Sequence, residues 1–405
     1  MKPVREDESW RHSRSVYELP KTAERPRSVY VHVPFCSHRC GYCDFTLVAD
    51  RDDLIVDYLN ALSNELDQLN EVCAVDSIFV GGGTPTHLAP DQIEQLMGLI
   101  SAHFELTCDG EYTFEANPDG LSSHQLDVLG SGGVNRLSLG VQSFDTGVLR
   151  TLERTHTAQQ AQAAVVRAQQ IIPNISLDLI FGVPGQSEHV WRQSLATATA
   201  LPVRHVSTYG LTFEKGTDFY RRRLQEKFSL VSNECERLQY ADAMSVLADA
   251  GLEQYEISNH AHPDARCRHN EVYWDASEYF AFGPGAARYV NGTRSTNARN
   301  VTGWIRSWLR NEPVLQEYER LCAIDRAREA VMLGLRRNQG IPQGQFRNRF
   351  GYSVSSLAPE ALERHLTAGL LEQVSGINDV DEPDTWLRFT TEGRFVADTV
   401  VVDFL

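Results

Sequence analysis

Nowhere does the 405-residue chain approach the roughly 18 consecutive apolar residues that a membrane-crossing helix requires. Its opening run, Met1-Lys2-Pro3-Val4-Arg5-Glu6-Asp7, has no apolar stretch of the kind a secretory signal carries. Basic side chains are in deficit, 38 Lys and Arg against 54 Asp and Glu, and the net charge of −16 repels phosphate backbones. These absences lead us to expect a cytoplasmic protein that does not bind nucleic acid, with peripheral membrane contact left open. In a reducing compartment eight cysteines are not expected to pair as disulfides, so a cluster among them points to metal binding or catalysis. Apolar residues at 42% and charged residues at 23% exclude wholesale disorder, and the length argues for two domains.

Residues 1–27 are polar and mixed in charge and read as a loosely attached arm. From Ser28 the pattern alternates. Short β-branched or aromatic runs predict strands at Ser28–Val33, Ser77–Val80, Glu111–Ala116, Asn135–Val141, Ile175–Phe181 and His205–Phe213. Helical periodicity lies between them, clearest over Leu54–Val72 and Thr157–Ile172. Such repeats imply parallel pairing with right-handed crossovers, in either a doubly wound sheet or a complete or partial barrel. Chemistry in either gathers at the carboxyl ends of the strands. After about Asn311 the texture changes. Helical Ala327–Arg337, then Gly340-Ile341-Pro342, a second helix near Ala358–Ala368 and a closing alternation through Arg388–Thr390 predict a small winged-helix-like α+β domain. With the acidic balance, that domain is expected to serve structure or docking rather than DNA. The predicted division is an arm over 1–27, a core over 28–311 and a C-terminal domain over 312–405.

The strongest chemical signal is the spacing Cys36-x3-Cys40-x2-Cys43, directly after the first strand. Three readings compete. The thiols would align on one helix face, but Pro34 and Gly41 oppose a helix. They would bind zinc if His32 or His38 completed a tetrahedron. The third and preferred reading is a four-iron cluster on only three thiolates, which leaves one iron open to a small molecule. The next strand ends in Phe79-Val80-Gly81-Gly82-Gly83-Thr84-Pro85. Glycines there let backbone approach a ligand, and exposed N–H groups suit a carboxylate; a plain tight turn explains such a run equally well.

The cysteine triplet and its position resemble the radical S-adenosylmethionine (SAM) superfamily. The resemblance implies a partial (β/α)6 barrel in which SAM chelates the open iron of a [4Fe–4S] cluster and is cleaved to a 5′-deoxyadenosyl radical. The glycine run, Thr113–Pro118, Gly133–Phe144, Arg154-Thr155-His156 and Ser176–Gln186 narrow it to the oxygen-independent coproporphyrinogen oxidase branch. In that branch, positions matching Tyr30, Gly82 and Glu115 contact one SAM. Those matching Tyr42, Gly83, Thr84, Gln142, Arg154, Asp178 and Gly210 contact a second. Glu115 suits ribose hydroxyls and Arg154 suits a carboxylate. Taken singly, a strand-end Asp or Gln is more often a cap or loop anchor.

Oxidases of the branch carry a fourth cysteine two residues after the third, whereas this chain reads Cys43-Asp44-Phe45. Phenylalanine there resembles the related HemW-type haem chaperones, as do Tyr255-Glu256-Ile257-Ser258-Asn259 and His269-Asn270-x-x-Tyr273-Trp274. An imidazole beside Cys267 and two large aromatics has the groups to ligate or flank haem iron. The plainer alternative is that His269 hydrogen-bonds in a core, with Tyr273 and Trp274 packed round it. One departure stands out: after Gly283-Pro284-Gly285-Ala286 the family usually has histidine, and this chain has Ala287-Arg288. Cys73, Cys108, Cys235 and Cys322 read as packing residues, and Arg336-Arg337 is too short for a nucleic-acid patch. Residues 329–341 resemble the branch's small C-terminal domain. The resemblance therefore implies a haem chaperone with a [4Fe–4S] cluster, SAM and haem. Its partners would be haem-accepting apoproteins and an electron donor, and it would form a homodimer. Oxidative decarboxylation of coproporphyrinogen III and methyl transfer from a second SAM are the alternatives.

Overall fold

The computed structural model describes residues 25–377 and 383–405. Of the expected N-terminal arm only residues 25–27 fall among them, so that expectation lies outside the described residues.

Six strands run parallel in chain order: β1 (Ser28–Val33), β2 (Cys73–Gly82), β3 (Phe104–Ala116), β4 (Arg136–Gln142), β5 (Asn174–Phe181) and β6 (His205–Gly210). Helices α1 (Ile55–Leu66), α2 (Pro90–His103), α3 (Ser123–Ser131), α4 (Thr146–Thr151), α5 (Ala158–Gln169) and α6 (Glu188–Thr199) occupy the crossovers. The sheet order never reverses, so every crossover winds the same way. A doubly wound sheet would reverse at a switch point; this arrangement is the partial (β/α)6 barrel. Two antiparallel strands, Glu253–Gln254 and Asn259–Ala261, extend the sheet beyond β6, and Phe280–Phe282 pairs parallel to β1 at the other edge.

Alternation explains how the sheet is held. Val29, Val31, Val80, Phe114, Leu137, Leu139, Ile175, Leu177 and Val206 are fully buried and belong to one hydrophobic cluster with the helices. Each such side chain contributes about 1.5–3 kcal/mol when withdrawn from water. α1 meets this layer through Tyr58, Leu59, Leu62 and Leu66, a single stripe of a 3.6-residue period. It ends earlier than the predicted Val72 because Asn70 adopts a left-handed conformation, φ 57°. Residues of the other parity are polar and also withdrawn from water: Glu115, Arg136, Ser138, Ser176, Asp178, His205 and Ser207. Helix starts are fixed locally. At α3 the Ser122 hydroxyl accepts from Gln125 N at 3.2 Å while Gln125 Oε1 accepts from Ser122 N at 2.9 Å, a reciprocal capping box.

A second hydrophobic cluster centres on Val331, Leu335, Leu387 and Phe404. Helices Ala323–Gly334, Gln343–Phe350 and Pro359–Thr367 surround the antiparallel hairpin of Leu371–Ile377 with Pro383–Phe389, and Ile341–Pro342 pairs onto that hairpin. This is the winged-helix-like arrangement. Leu315–Arg320 instead pairs with Thr293–Asn297, so the stretch just past Asn311 hydrogen-bonds to what precedes it. No helix among the described residues is long and apolar enough to cross a membrane.

Candidate functional site

The cysteine triplet lies in the loop leaving β1. Phe35–Cys36 pairs parallel with Val48–Ala49, which closes the loop at its base, and residues 37–47 are turn and bend. Thiols on a helix face are thereby excluded. Arg39 Nη2 donates to Leu47 O at 2.8 Å across the loop. At its tip, Gly41 N donates to Glu153 Oε2 at 2.8 Å, and Phe219 N donates to Gly41 O at 2.8 Å. A Cβ at Gly41 would lie 2.5 Å from the Phe219 ring, so only glycine admits this clamp. Glu153, itself at φ 57°, was not singled out in the sequence because one carboxylate before an arginine carries no pattern.

Cys36 and Cys40 are buried and Cys43 is partly exposed. Burial raises the Cys40 thiol against the opposing pull of Arg154, and it pushes Cys43 up to about 11; Cys36 adds to the rise at Cys40, and Cys36 and Cys40 add to that at Cys43. Three thiols on one loop that is closed at base and tip suit a cluster that would bind them as thiolates. Zinc fits poorly. His32 is committed at both nitrogens, Nδ1 to Tyr30 Oη at 3.0 Å and Nε2 to Thr46 O at 2.6 Å, and the half-exposed His38 turns toward Glu153 at 3.9 Å. Among the described residues no three His, Cys, Asp or Glu side chains converge on a single ion.

A line of hydrogen bonds joins two of the thiols. Cys36 Sγ lies 3.1 Å from Thr84 Oγ1, Asn117 Nδ2 donates to Thr84 Oγ1 at 2.9 Å, Arg154 Nη2 donates to Asn117 Oδ1 at 2.6 Å, and Arg154 Nη1 reaches Cys40 Sγ at 3.7 Å. Arg154 Nη2 also donates to Gly140 O at 2.7 Å. Within the chain, the two terminal nitrogens of Arg154 are thus taken by a thiol, an amide and a carbonyl. Two buried polar atoms nearby have no partner, the donor Arg154 Nε and the acceptor Gln142 Oε1. Both side chains crowd Gly140, whose Cβ would lie 3.2 Å from Gln142 Nε2 and 3.6 Å from Arg154 Nη2. An unmet donor beside an unmet acceptor matches the carboxylate and ammonium of an amino acid, so these residues fit the methionine end of SAM. Gln142 sits at φ 67° where the β4–β5 register slips between Gly140 and Gln142.

The glycine run does different work from that expected. Gly82 N donates to Glu115 Oε2 at 2.9 Å, Gly83 N to Val33 O at 2.8 Å and Thr84 N to Phe35 O at 2.7 Å. These amides are taken and do not await a carboxylate. Glycine is required for packing: at Gly82, φ 109°, a Cβ would run into the His32 ring, and at Gly83 it would lie 2.5 Å from Phe35 O. Glu115 is pushed up to about 7 by burial, with Asp178 nearby adding to the effect and Gly82 N opposing it. Burial also raises Asp178, which accepts from Ser138 Oγ at 3.3 Å. Tyr42 packs edge-on against Phe219 at 6.0 Å and hydrogen-bonds with Cys40. Gly210 ends β6 in an exposed position. The hydroxyl of Tyr30 is spent on His32.

His269 stands apart. Its Nδ1 lies 3.2 Å from Ser77 Oγ, which also bonds Ser28 Oγ, so it sits at the level where β1 begins, at the end of that strand opposite the cysteines. Its Nε2 is 2.8 Å from Tyr273 Oη and its ring stacks on Phe79 at 5.2 Å. Only 1% exposed, and lowered to about 3 by burial, it is a neutral core imidazole with neither nitrogen free for iron. The helix Arg268–Trp274 is fastened from outside: Glu111 accepts from Arg268 N at 3.2 Å, His269 N at 3.3 Å and Cys267 Sγ at 3.6 Å. Tyr255–Asn259 forms the seat of the C-terminal unit, with Ile257 N donating to Arg336 O at 3.2 Å and Asn338 N to Tyr255 O at 2.9 Å. Ala287 pairs with Thr296, and its neighbour Arg288 is buried against Glu65 at 3.2 Å. The reading of the scattered cysteines holds for buried Cys73 but not for Cys108 and Cys322, which are exposed.

Residues 30–198 match the family model described as the radical SAM superfamily, and residues 321–377 match the HemN C-terminal domain. The chain is 36% identical over 386 residues to "Heme chaperone HemW" of Bacillus subtilis, covering 94% of this chain and 99% of that protein. It is 33% identical over 394 residues to "Heme chaperone HemW" of Mycobacterium tuberculosis, covering 95% and 97%. Among solved structures, the coproporphyrinogen III oxidase HemN of Escherichia coli superposes with a TM-score of 0.80 at 24% identity, over 94% of this chain and 90% of that one. The chain belongs to the radical SAM superfamily and, within it, to the HemW family.

Proposed function

We propose that this protein binds haem and delivers it to acceptor haemoproteins in the cytoplasm, using a [4Fe–4S] cluster on Cys36, Cys40 and Cys43 with SAM beside it. The observation that carries the reading is the similarity, over nearly the full length of both chains, to proteins named haem chaperones. Phe45 supports it. This side chain is 58% exposed on the cysteine loop, at the position where oxidases of the resembling branch carry a cysteine, and phenylalanine offers neither a thiol nor a titratable proton. A cluster so held supplies one electron and one open coordination position. The chain's own residues do the rest: Gln142 and Arg154 present an acceptor and a donor to the methionine end of SAM, and Glu115 accepts from its ribose. Asp178 and Tyr42, both near enough to Arg154 to feel its charge, and Gly210 at the exposed end of β6 complete the proposed set. An electron donor, haem-accepting apoproteins and a homodimer belong to the same proposal.

The test is anaerobic. Reconstituted protein is titrated with haem, followed by absorption, and then mixed with an apo-haemoprotein such as apomyoglobin. A stoichiometric Soret band that moves to the acceptor is expected. In parallel, coproporphyrinogen III, SAM and dithionite should yield no protoporphyrinogen; formation of that product would replace the chaperone reading with oxidative decarboxylation.

A further inference from the structure

Asn117 was not among the expected site residues, yet it stands at the middle of the line joining Cys36 to Cys40. The chemistry of that line leaves little freedom. A guanidinium donates and never accepts. The Asn117 atom facing Arg154 Nη2 at 2.6 Å is therefore the amide oxygen, and the atom facing Thr84 must be the amide nitrogen. A hydroxyl that accepts from an amide N–H has its own hydrogen to place elsewhere. For Thr84 the neighbour at 3.1 Å is Cys36 Sγ. Arg154 thus fixes the orientation of Asn117, Asn117 fixes that of the Thr84 hydroxyl, and the hydroxyl donates to the Cys36 sulfur. At the other end the same guanidinium faces Cys40 Sγ at 3.7 Å. Two thiolates on one loop are steadied by donors that a single amide holds in register.

We propose that Asn117 is a positioning residue for the iron–sulfur cluster, setting through Thr84 and Arg154 the hydrogen bonds that Cys36 and Cys40 receive. The inference rests on the reading that these cysteines hold a cluster, and it is independent of haem delivery. Its consequence is physical. Hydrogen bonds to cluster sulfurs stabilise the reduced, more negative state, and partners of ligands affect metal retention by about 10–100-fold. A cleft of about 590 Å³, lined by Thr84, Asn117 and Asp119, borders the line, so shortening Asn117 would extend it toward Arg154.

The experiment compares wild type, Asn117→Ala and Asn117→Asp, reconstituted without air and without SAM or haem. Asn117→Asp keeps the shape and the acceptor for Arg154, but it turns the Thr84 hydroxyl away from Cys36 because a carboxylate only accepts. Asn117→Ala should lose its cluster to a chelator about 10–100-fold faster than wild type. Asn117→Asp should load a cluster whose reduced EPR signal and midpoint potential differ from wild type, the potential being more negative. Circular dichroism reports folding, and if Asn117→Ala misfolds, Asn117→Asp decides. Wild-type chelator kinetics, EPR signal and potential in the folded variants would overturn the proposal. A wild-type protein that loads no cluster would instead overturn the reading beneath it.

Discussion

The Nε2 of His269 lies 2.8 Å from the hydroxyl of Tyr273, one helical turn further along the same helix. With Ser77 on Nδ1, the imidazole is fully engaged at the foot of the barrel. Replacing it with alanine removes packing on Phe79 and leaves two buried hydroxyls short of a partner. We expect His269→Ala to destabilise the fold by about 2–4 kcal/mol. Haem uptake by the folded variant should be unchanged. Chemical denaturation measures the first and haem titration the second; a lost Soret band in a variant of wild-type stability would return His269 to the haem site.

Gly83 touches backbone on the cysteine side, where its missing Cβ would lie 2.5 Å from Phe35 O. Gly83→Ala must displace the strand end that leads into Cys36, at a cost of about 1–3 kcal/mol. Both the midpoint of denaturation and the iron content should fall. Retention of both would mean that the strand end yields freely.

Glu115 carries a pH signature. Its carboxyl is held up to about 7 in the folded chain, against an ordinary value of 4.5. Between those values the native side chain keeps a proton that the unfolded chain has released, so stability falls as pH rises across that window and levels off above it. In the ligand-free protein, Glu115→Gln should raise Tm over wild type at pH 8, and the gain should shrink toward zero near pH 4.5. Thermal melts across that range check this; a Tm difference independent of pH would place the Glu115 carboxyl at its ordinary value.

How much of this was legible in the sequence depends on what each residue answers to. β1 appears at its predicted bounds, Ser28–Val33, because both faces of that strand are buried and its β-branched residues report it. Phe280–Phe282 escaped notice because three residues are too few to show a period, although they complete the edge beside β1. The cysteine triplet was legible because its ligands lie on one loop. Asn117 and Glu153 were not, since each acts on groups about 33 or 112 positions away and only folding brings them together. The glycine run was seen, but for another reason: its N–H groups serve Val33, Phe35 and Glu115 rather than a ligand. His269 misled because a histidine among aromatics reads alike whether it faces iron or a serine.

The most direct measurement is the metal content of protein purified without air, with EPR after reduction by dithionite. We predict about four iron and four sulfide per chain, a reduced-cluster signal that changes when SAM is added, and loss of the iron when Cys36, Cys40 and Cys43 are replaced by alanine. Stoichiometric zinc, or iron that survives the triple substitution, would contradict the three-thiolate site on which everything above depends.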